Sequence, residues 1–191
     1  MTKRVLLDCD GVLADFIGPL LDVVHEHTGR RYAREDVTEF RFAKCLDLTR
    51  AEADRVYDTL SNRADWWRSL PVFDGAREGV ARLREVADVY IVTSPWWTCA
   101  TWLGQRLDWL YQHFEITGAN VVATSAKHMI AGDILVDDKT ETLHAWLDAH
   151  FRRGEAALQW ITPHNRRDGW CGGATDSWDE LIRFAQQGRL R

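Results

Sequence analysis

The stretch "VLLDCDGVLADF" (5–16) constrains this chain more than any other. Val5, Leu6 and Leu7 demand burial, yet Asp8 and Asp10 follow at once, and Gly11 then permits a sharp bend. Apolar runs that do not alternate with polar residues suit strands buried on both faces, as in a parallel sheet. Similar runs recur as "VYIV" (89–92), "NVVAT" (120–124), "ILVD" (134–137) and "LQWIT" (158–162). Between them lie helical patterns. "GAREGVARLREVA" (75–87) places Val80, Leu83 and Val86 on one face, and "WLGQRLDWLYQHF" (102–114) aligns Trp102, Leu103, Leu107, Leu110 and Phe114. "TETLHAWLDAHF" (140–151) is a third. Strand alternating with helix predicts an α/β fold, a Rossmann-like doubly wound parallel sheet.

One spacing departs from that scheme. Residues 9–88 separate the first two clear strands, where a β-α-β crossover needs roughly 30 residues. The excess reads as helices, "FIGPLLDVVHEH" and "TRAEADRVYDTL", the second opened by a capping box of Thr49 and Glu52. A helical insertion beside the first strand's end sits where a lid over an active site would. The expected organisation is a core of residues 1–15 and 75–191 carrying a small helical cap of residues 16–74.

Ligands of open α/β sheets bind beyond the carboxyl ends of the strands. There this chain places Asp8 and Asp10, then Thr93 and Ser94, then Lys127 in "TSAKH", then Asp137 and Asp138. Grouped carboxylates repel one another, so ionised acids at this density call for a hard cation, and an oxygen-rich site suits Mg²⁺. The cation also lets a carboxylate approach an anionic phosphate against Coulomb repulsion. Thr93, Ser94 and Lys127 supply donors for phosphate oxygens. Asp8 would then be the nucleophile and Asp10, two residues along on the same face, the acid and base.

The rest of the chain narrows the partners. A net charge of -5 disfavours a nucleic-acid surface, and no apolar run approaches membrane-spanning length. No signal peptide precedes the first strand, and four scattered cysteines without a CxxC pair fit a cytoplasmic protein with reduced thiols. The expected partner is a small molecule, with no nucleic acid and no membrane. Most of the ten tryptophans read as packing: Trp102 and Trp109 form one helical stripe, and Trp66 and Trp67 anchor the lid's return. Trp96 and Trp97 differ, since they follow Ser94 at the rim of the crevice. No histidine pair has metal-ligand spacing, so surface or hydrogen-bonded histidine is the default, although His164 in "TPHN" could reach the crevice.

"DCDGV", "VTS", Lys127 and "DILVDD" stand in the order of the haloacid dehalogenase-like phosphatases, which this chain resembles. The fuller stretches "DCDGVLADF", "WWRSLPVFDGA", "IVTSP" and "ILVDD" are similar to the 5'(3')-deoxyribonucleotidases of that superfamily. The likeness extends to "PHNR" (163–166) and "SWDEL" (177–181). The resemblance implies an aspartyl-phosphate on Asp8, with Asp10 protonating the departing nucleoside oxygen and then activating water. It implies Mg²⁺ held by Asp8, the Asp10 backbone carbonyl and Asp138, with Asp137 orienting the shell. It further implies that Phe16 faces the nucleoside, that Phe40 stacks on the base, and that Arg106 replaces a phosphate-holding lysine. A homodimer is also implied. Arg41 and Trp96, both assigned to the substrate pocket, depart from the family pattern and leave base preference open. The alternatives are a phosphatase for a sugar phosphate or other small metabolite, and a non-catalytic nucleotide-binding module.

Overall fold

The unalternating apolar runs form the centre of a six-stranded sheet. The computed structural model describes residues 2–150, 155–166 and 169–187. Its strands are β1 (Lys3–Leu7), β2 (Ala87–Thr93), β3 (Val121–Ala123), β4 (Ile134–Asp137), β5 (Ala156–Trp160) and β6 (Gly173–Thr175). Every neighbouring pair is parallel, in the order β3-β2-β1-β4-β5-β6. Alternate residues feed two faces: Val5 and Leu7 join one apolar cluster, while Leu6, Val92 and Leu135 join the other. Both faces are therefore buried, which explains why these strands carry no polar alternation.

The helices are α1 (Ile17–Thr28), α2 (Phe42–Cys45), α3 (Arg50–Asn62), α4 (Ala76–Arg84), α5 (Trp102–Phe114), α6 (Thr140–His150) and α7 (Trp178–Gln187). Leu143 and Trp146 of α6 cover one face of the sheet, and Val80, Trp109 and Leu181 of α4, α5 and α7 cover the other. The chain runs outward from β1 through β2 to β3, then returns to β4 on β1's other side and runs outward again. Their carboxyl ends thus flank the switch point, the crevice where such sheets bind ligands.

Two details differ from the sequence expectation, and a third is not described. Strand β6, "GAT", has neither bulk nor a β-branched run to announce it. The packed face of α5 runs through Trp102, Arg106, Trp109 and Leu110, so Leu103 is exposed and Leu107 half-buried; a buried arginine inside the stripe shifts it from where the leucines alone point. Phe151, expected in the third helix, lies outside the described residues.

The excursion between β1 and α4 leaves and returns side by side. Asp15 N donates to Pro71 O (2.8 Å), Phe73 N to Leu13 O (2.9 Å), and Ala14 bridges Val72 in antiparallel sense. Beyond this neck α1 packs on α3. The capping box opens α3: Glu52 N donates to Thr49 Oγ1 (3.3 Å) and Thr49 N to Glu52 Oε2 (2.8 Å). Among the described residues no helix is long and apolar enough to cross a membrane.

Candidate active site

The bend after β1 has a geometric cause. Asp8 N still donates to Val136 O (2.9 Å), so β1 keeps its register with β4 up to the first acid. Leu13 N and Ala14 N then both donate to Cys9 O (2.8 and 2.9 Å), closing a tight loop around Gly11. Gly11 has φ +84°, and a Cβ there would lie 2.0 Å from Asp138 Oδ2. Only glycine meets both demands. The turn thereby lets the β1 loop press against the end of β4 and brings Asp8, Asp10 and Asp138 to one cavity.

That cavity, about 260 Å³, is lined at its floor by Asp8, Asp10, Lys127, Asp137 and Asp138, with Ser94 beside them. Lys127 Nζ lies 2.7 Å from both Asp8 Oδ1 and Asp137 Oδ2. Asp137, wholly buried, also accepts from Lys139 N at 2.9 Å, so both its oxygens are engaged. Burial works against the Lys127 ammonium, but the adjoining carboxylates of Asp137 and Asp8 hold its pKa above the ordinary lysine value. The acids show the opposite balance. Burial pushes Asp137, Asp138 and Asp10 above the usual carboxylate range, opposed by Lys127, by the His164 hydrogen bond and by Arg106 respectively.

The donor set fits a divalent cation. Asp8, Asp137 and Asp138 each offer a carboxylate oxygen, all within 4.8 Å of one another. Counting Asp10, four clustered carboxylates face two buried cations, Lys127 and Arg106, and two further positive charges balance the group. An all-oxygen set of hard donors is the chemistry of Mg²⁺ rather than of softer metals.

One wall is apolar. Phe16, Ile17, Val37, Phe40, Phe42, Trp67 and Trp96 line it. Phe16 lies 5.8 Å from Trp67 and 6.3 Å from Trp96 between ring centroids, and Trp96 stacks on Tyr57 of α3 at 5.7 Å. Trp96 Nε1 donates to Ser61 Oγ (3.0 Å), which shares a hydrogen bond with Thr98 (2.6 Å), tying the loop after β2 to the end of α3. Phe40 projects from the 37–41 loop, with its ring edge-on to His164 (5.0 Å) and beneath the Lys139 ammonium (5.3 Å).

Most residues singled out in the sequence meet at this cavity, and three do not line it. Thr93 is wholly enclosed, and its hydroxyl has no hydrogen-bond partner among the described residues. Arg41 is exposed on the excursion between β1 and α4. Arg106, expected at the phosphate, instead holds Asp10 and lies outside the lining. Of the tryptophan pair, Trp96 faces the cavity and Trp97 is 77% exposed.

Trp67, expected only as an anchor, is both buried and part of the wall. Lys139, Glu39 and Thr142, outside the sequence expectation, also line the cavity. Lys139 carried a signal, since it directly follows the paired acids. Glu39 and Thr142 carried none. His164, left undecided in the sequence, hydrogen-bonds Asp138 Oδ2 (2.9 Å) through Nε2, while Asn165 Nδ2 donates to Asp138 O (2.7 Å). Polar residues just past β5, at the carboxyl edge of the sheet, were the clue to that pair.

Known proteins share this fold and define its family. A HAD family hydrolase from Deinococcus radiodurans, solved with bound phosphate and sodium, superposes with a TM-score of 0.64 at 19% identity, covering 99% of this chain and 97% of that one. It shares the fold. The human cytosolic-type 5'(3')-deoxyribonucleotidase is 29% identical over 194 residues, 94% of this chain and 92% of its own. The mouse mitochondrial 5'(3')-deoxyribonucleotidase is 29% identical over 199 residues, 94% of this chain and 84% of its own. The model of the family described as 5' nucleotidase, deoxy (pyrimidine), cytosolic type C matches residues 2–187, and by that match the chain belongs to this family.

Proposed function

We propose that the protein hydrolyses small deoxynucleoside monophosphates to nucleoside and phosphate through an aspartyl-phosphate on Asp8. One observation carries this reading: paired acids and a buried lysine line the same cavity as a group of aromatic rings. The floor suits a phosphoryl group and the wall suits a nucleoside. In the first half-reaction an Asp8 oxygen attacks phosphorus while Asp10 gives its proton to the departing nucleoside oxygen. In the second, Asp10 takes a proton from the attacking water, the Asp8–phosphorus bond breaks, and both side chains are restored. Lys127 and Ser94 hold phosphate oxygens, and the buried Thr93 hydroxyl stands next to them in the chain. Mg²⁺, held by Asp8, Asp138 and the Asp10 carbonyl with Asp137 orienting its surroundings, would offset the repulsion between Asp8 and the substrate phosphate.

Residues 16–74 act as the cap in this reading, excluding water and presenting Phe16 and Phe40 to the nucleoside. A cavity of about 260 Å³ suits a monomer and not a nucleic-acid chain. A cytoplasmic location and a homodimer belong to the same reading and rest on the family relationship. Of the features that would favour a sugar phosphate, Arg41 stays outside the lining and Trp96 joins the aromatic wall. The test is purified protein with Mg²⁺ against a panel of nucleoside monophosphates and a panel of sugar phosphates. Turnover of dUMP or dTMP well above any sugar phosphate is expected. Turnover confined to the second panel would move the substrate class, and tight nucleotide binding without phosphate release would leave a binding module.

A further inference from the structure

Arg106 is a wholly buried cation for which the hydrolysis scheme above has no role. Its Nη2 donates to both carboxylate oxygens of Asp10 (2.7 and 2.9 Å), and its Nη1 to Cys9 Sγ (3.1 Å). Nε has no partner, so every hydrogen bond of the guanidinium, among the described residues, runs to the β1 loop. Three indoles sleeve it: the Arg106 Cζ lies 5.6, 5.6 and 5.5 Å from the rings of Trp67, Trp102 and Trp109. The sleeve is itself pinned, since Trp67 Nε1 donates to Leu60 O (2.9 Å) and Trp109 Nε1 to Leu70 O (2.7 Å). A planar cation stacked among indoles and bonded at two nitrogens has little freedom, and a lysine's single ammonium reproduces neither feature.

We propose that Arg106 is a positioning residue for Asp10 and does not bind phosphate. By holding both oxygens from below, it fixes the direction in which that carboxyl meets the departing nucleoside oxygen and, later, the attacking water. The inference rests on the hydrolysis scheme above and deepens it. Asp10 keeps 27% of its side chain exposed toward the cavity while Arg106 keeps none, as expected of a reacting group and the group behind it.

The leaving group separates this role from phosphate binding. A nucleoside oxygen departs poorly without a proton, whereas p-nitrophenolate needs none. Arg106→Lys and Arg106→Met are compared with wild type by kcat/KM, which reports the steps up to P–O cleavage. The substrates are dUMP and p-nitrophenyl phosphate, and inhibition by inorganic phosphate is measured alongside. A positioned proton donor contributes on the order of 10²–10⁴-fold. A misdirected Asp10 should therefore cost about tenfold or more on dUMP in both variants. The kcat/KM of the aryl ester and the inhibition constant of phosphate should barely change. Equal losses on both esters with weakened phosphate inhibition would put Arg106 on the phosphate. Equal losses with unchanged inhibition would reduce it to a packing residue; either result overturns the proposal. Arg106→Lys keeps the charge and most of the stem, so a folded variant remains if Arg106→Met does not fold. Should wild type cleave the aryl ester and no nucleotide, the nucleotidase reading fails alone. The same contrast is then read with a sugar phosphate, whose leaving oxygen is equally poor.

Discussion

The floor and the wall of the cavity are built in opposite ways. Every charged group on the floor sits within a few residues of a strand end and is paired, and all but Asp10 are buried: Lys127 pairs with Asp8 and Asp137, Arg106 with Asp10, His164 with Asp138. The wall is drawn from α1, the 37–41 loop, α2, the segment before α4 and the loop after β2, and it is joined mainly by ring contacts. Its members grade from Trp67, nearly sealed, to Phe40, 39% exposed. The floor concentrates like charges where burial penalises them; the wall removes apolar surface from water, which favours folding. The floor thus costs stability in order to hold chemistry, and the wall recovers some of that stability while holding the substrate.

The sharpest way to break that contrast is at the nucleophile. Asp8→Asn should remove nearly all turnover, a loss on the order of 10³-fold or more, while nucleotide binding, followed by tryptophan quenching, persists. Retained turnover would mean that the floor does not supply the covalent step. Next in size is the cation. Saturating Mg²⁺ at about a hundred times its dissociation constant should stabilise the fold by roughly 2.7 kcal/mol, raising the melting temperature by about 5–10 °C, and a chelator should reverse this and stop turnover. Asp138→Asn should abolish the melting response. Its sign without metal is also fixed: burial raises the Asp138 pKa, so the neutral form stabilises at low pH and that contribution is lost as pH rises through the raised value. At neutral pH the asparagine variant, free of that cost, should melt at or above the metal-free wild type.

The same contrast explains what could be read from the sequence. Floor residues were legible because a parallel sheet turns short apolar runs into fixed addresses, and "LLD", "VTS" and "LVDD" each end on a polar group at one edge. Lys127 and the Thr49–Glu52 box were readable for a similar reason, since each depends only on local spacing. Arg106 was legible as a site residue but its contact with Asp10 was not, because the direction of a helical arginine depends on Trp67 from a distant segment as well as on Trp102 and Trp109 of its own helix. Trp67 as wall, His164 on Asp138, and the exposure of Leu103 all depend on how the cap and the loop past β5 fold back, and no local pattern encodes that.

Wall substitutions should act on recognition and leave the chemistry alone. Phe40→Ala removes a half-exposed ring that sits against His164 and beneath Lys139, so KM for dUMP should rise about tenfold, the equivalent of roughly 1.4 kcal/mol. Turnover of p-nitrophenyl phosphate, which carries no base, should hold near wild type. A matching loss on both substrates would show that Phe40 acts through His164 on the metal-binding acid, joining wall to floor.

The smallest expected effect tests how firmly the wall is hung. Ser61 is the acceptor for Trp96 Nε1 and a partner of Thr98, so it links the end of α3 to the loop that also carries Ser94. Ser61→Ala leaves the indole nitrogen half-exposed, where water can replace the lost acceptor, and the net cost of such a bond is about 0.5–1.5 kcal/mol. The stacks of Trp96 on Tyr57 and against Trp67 remain to hold its ring. The expected result is a fall in melting temperature of about 1–4 °C with KM for dUMP raised about twofold and kcat unchanged. A fall in kcat of the same size as in the floor variants would mean that Trp96 transmits its position to Ser94, and that recognition and chemistry share one mechanical element instead of two.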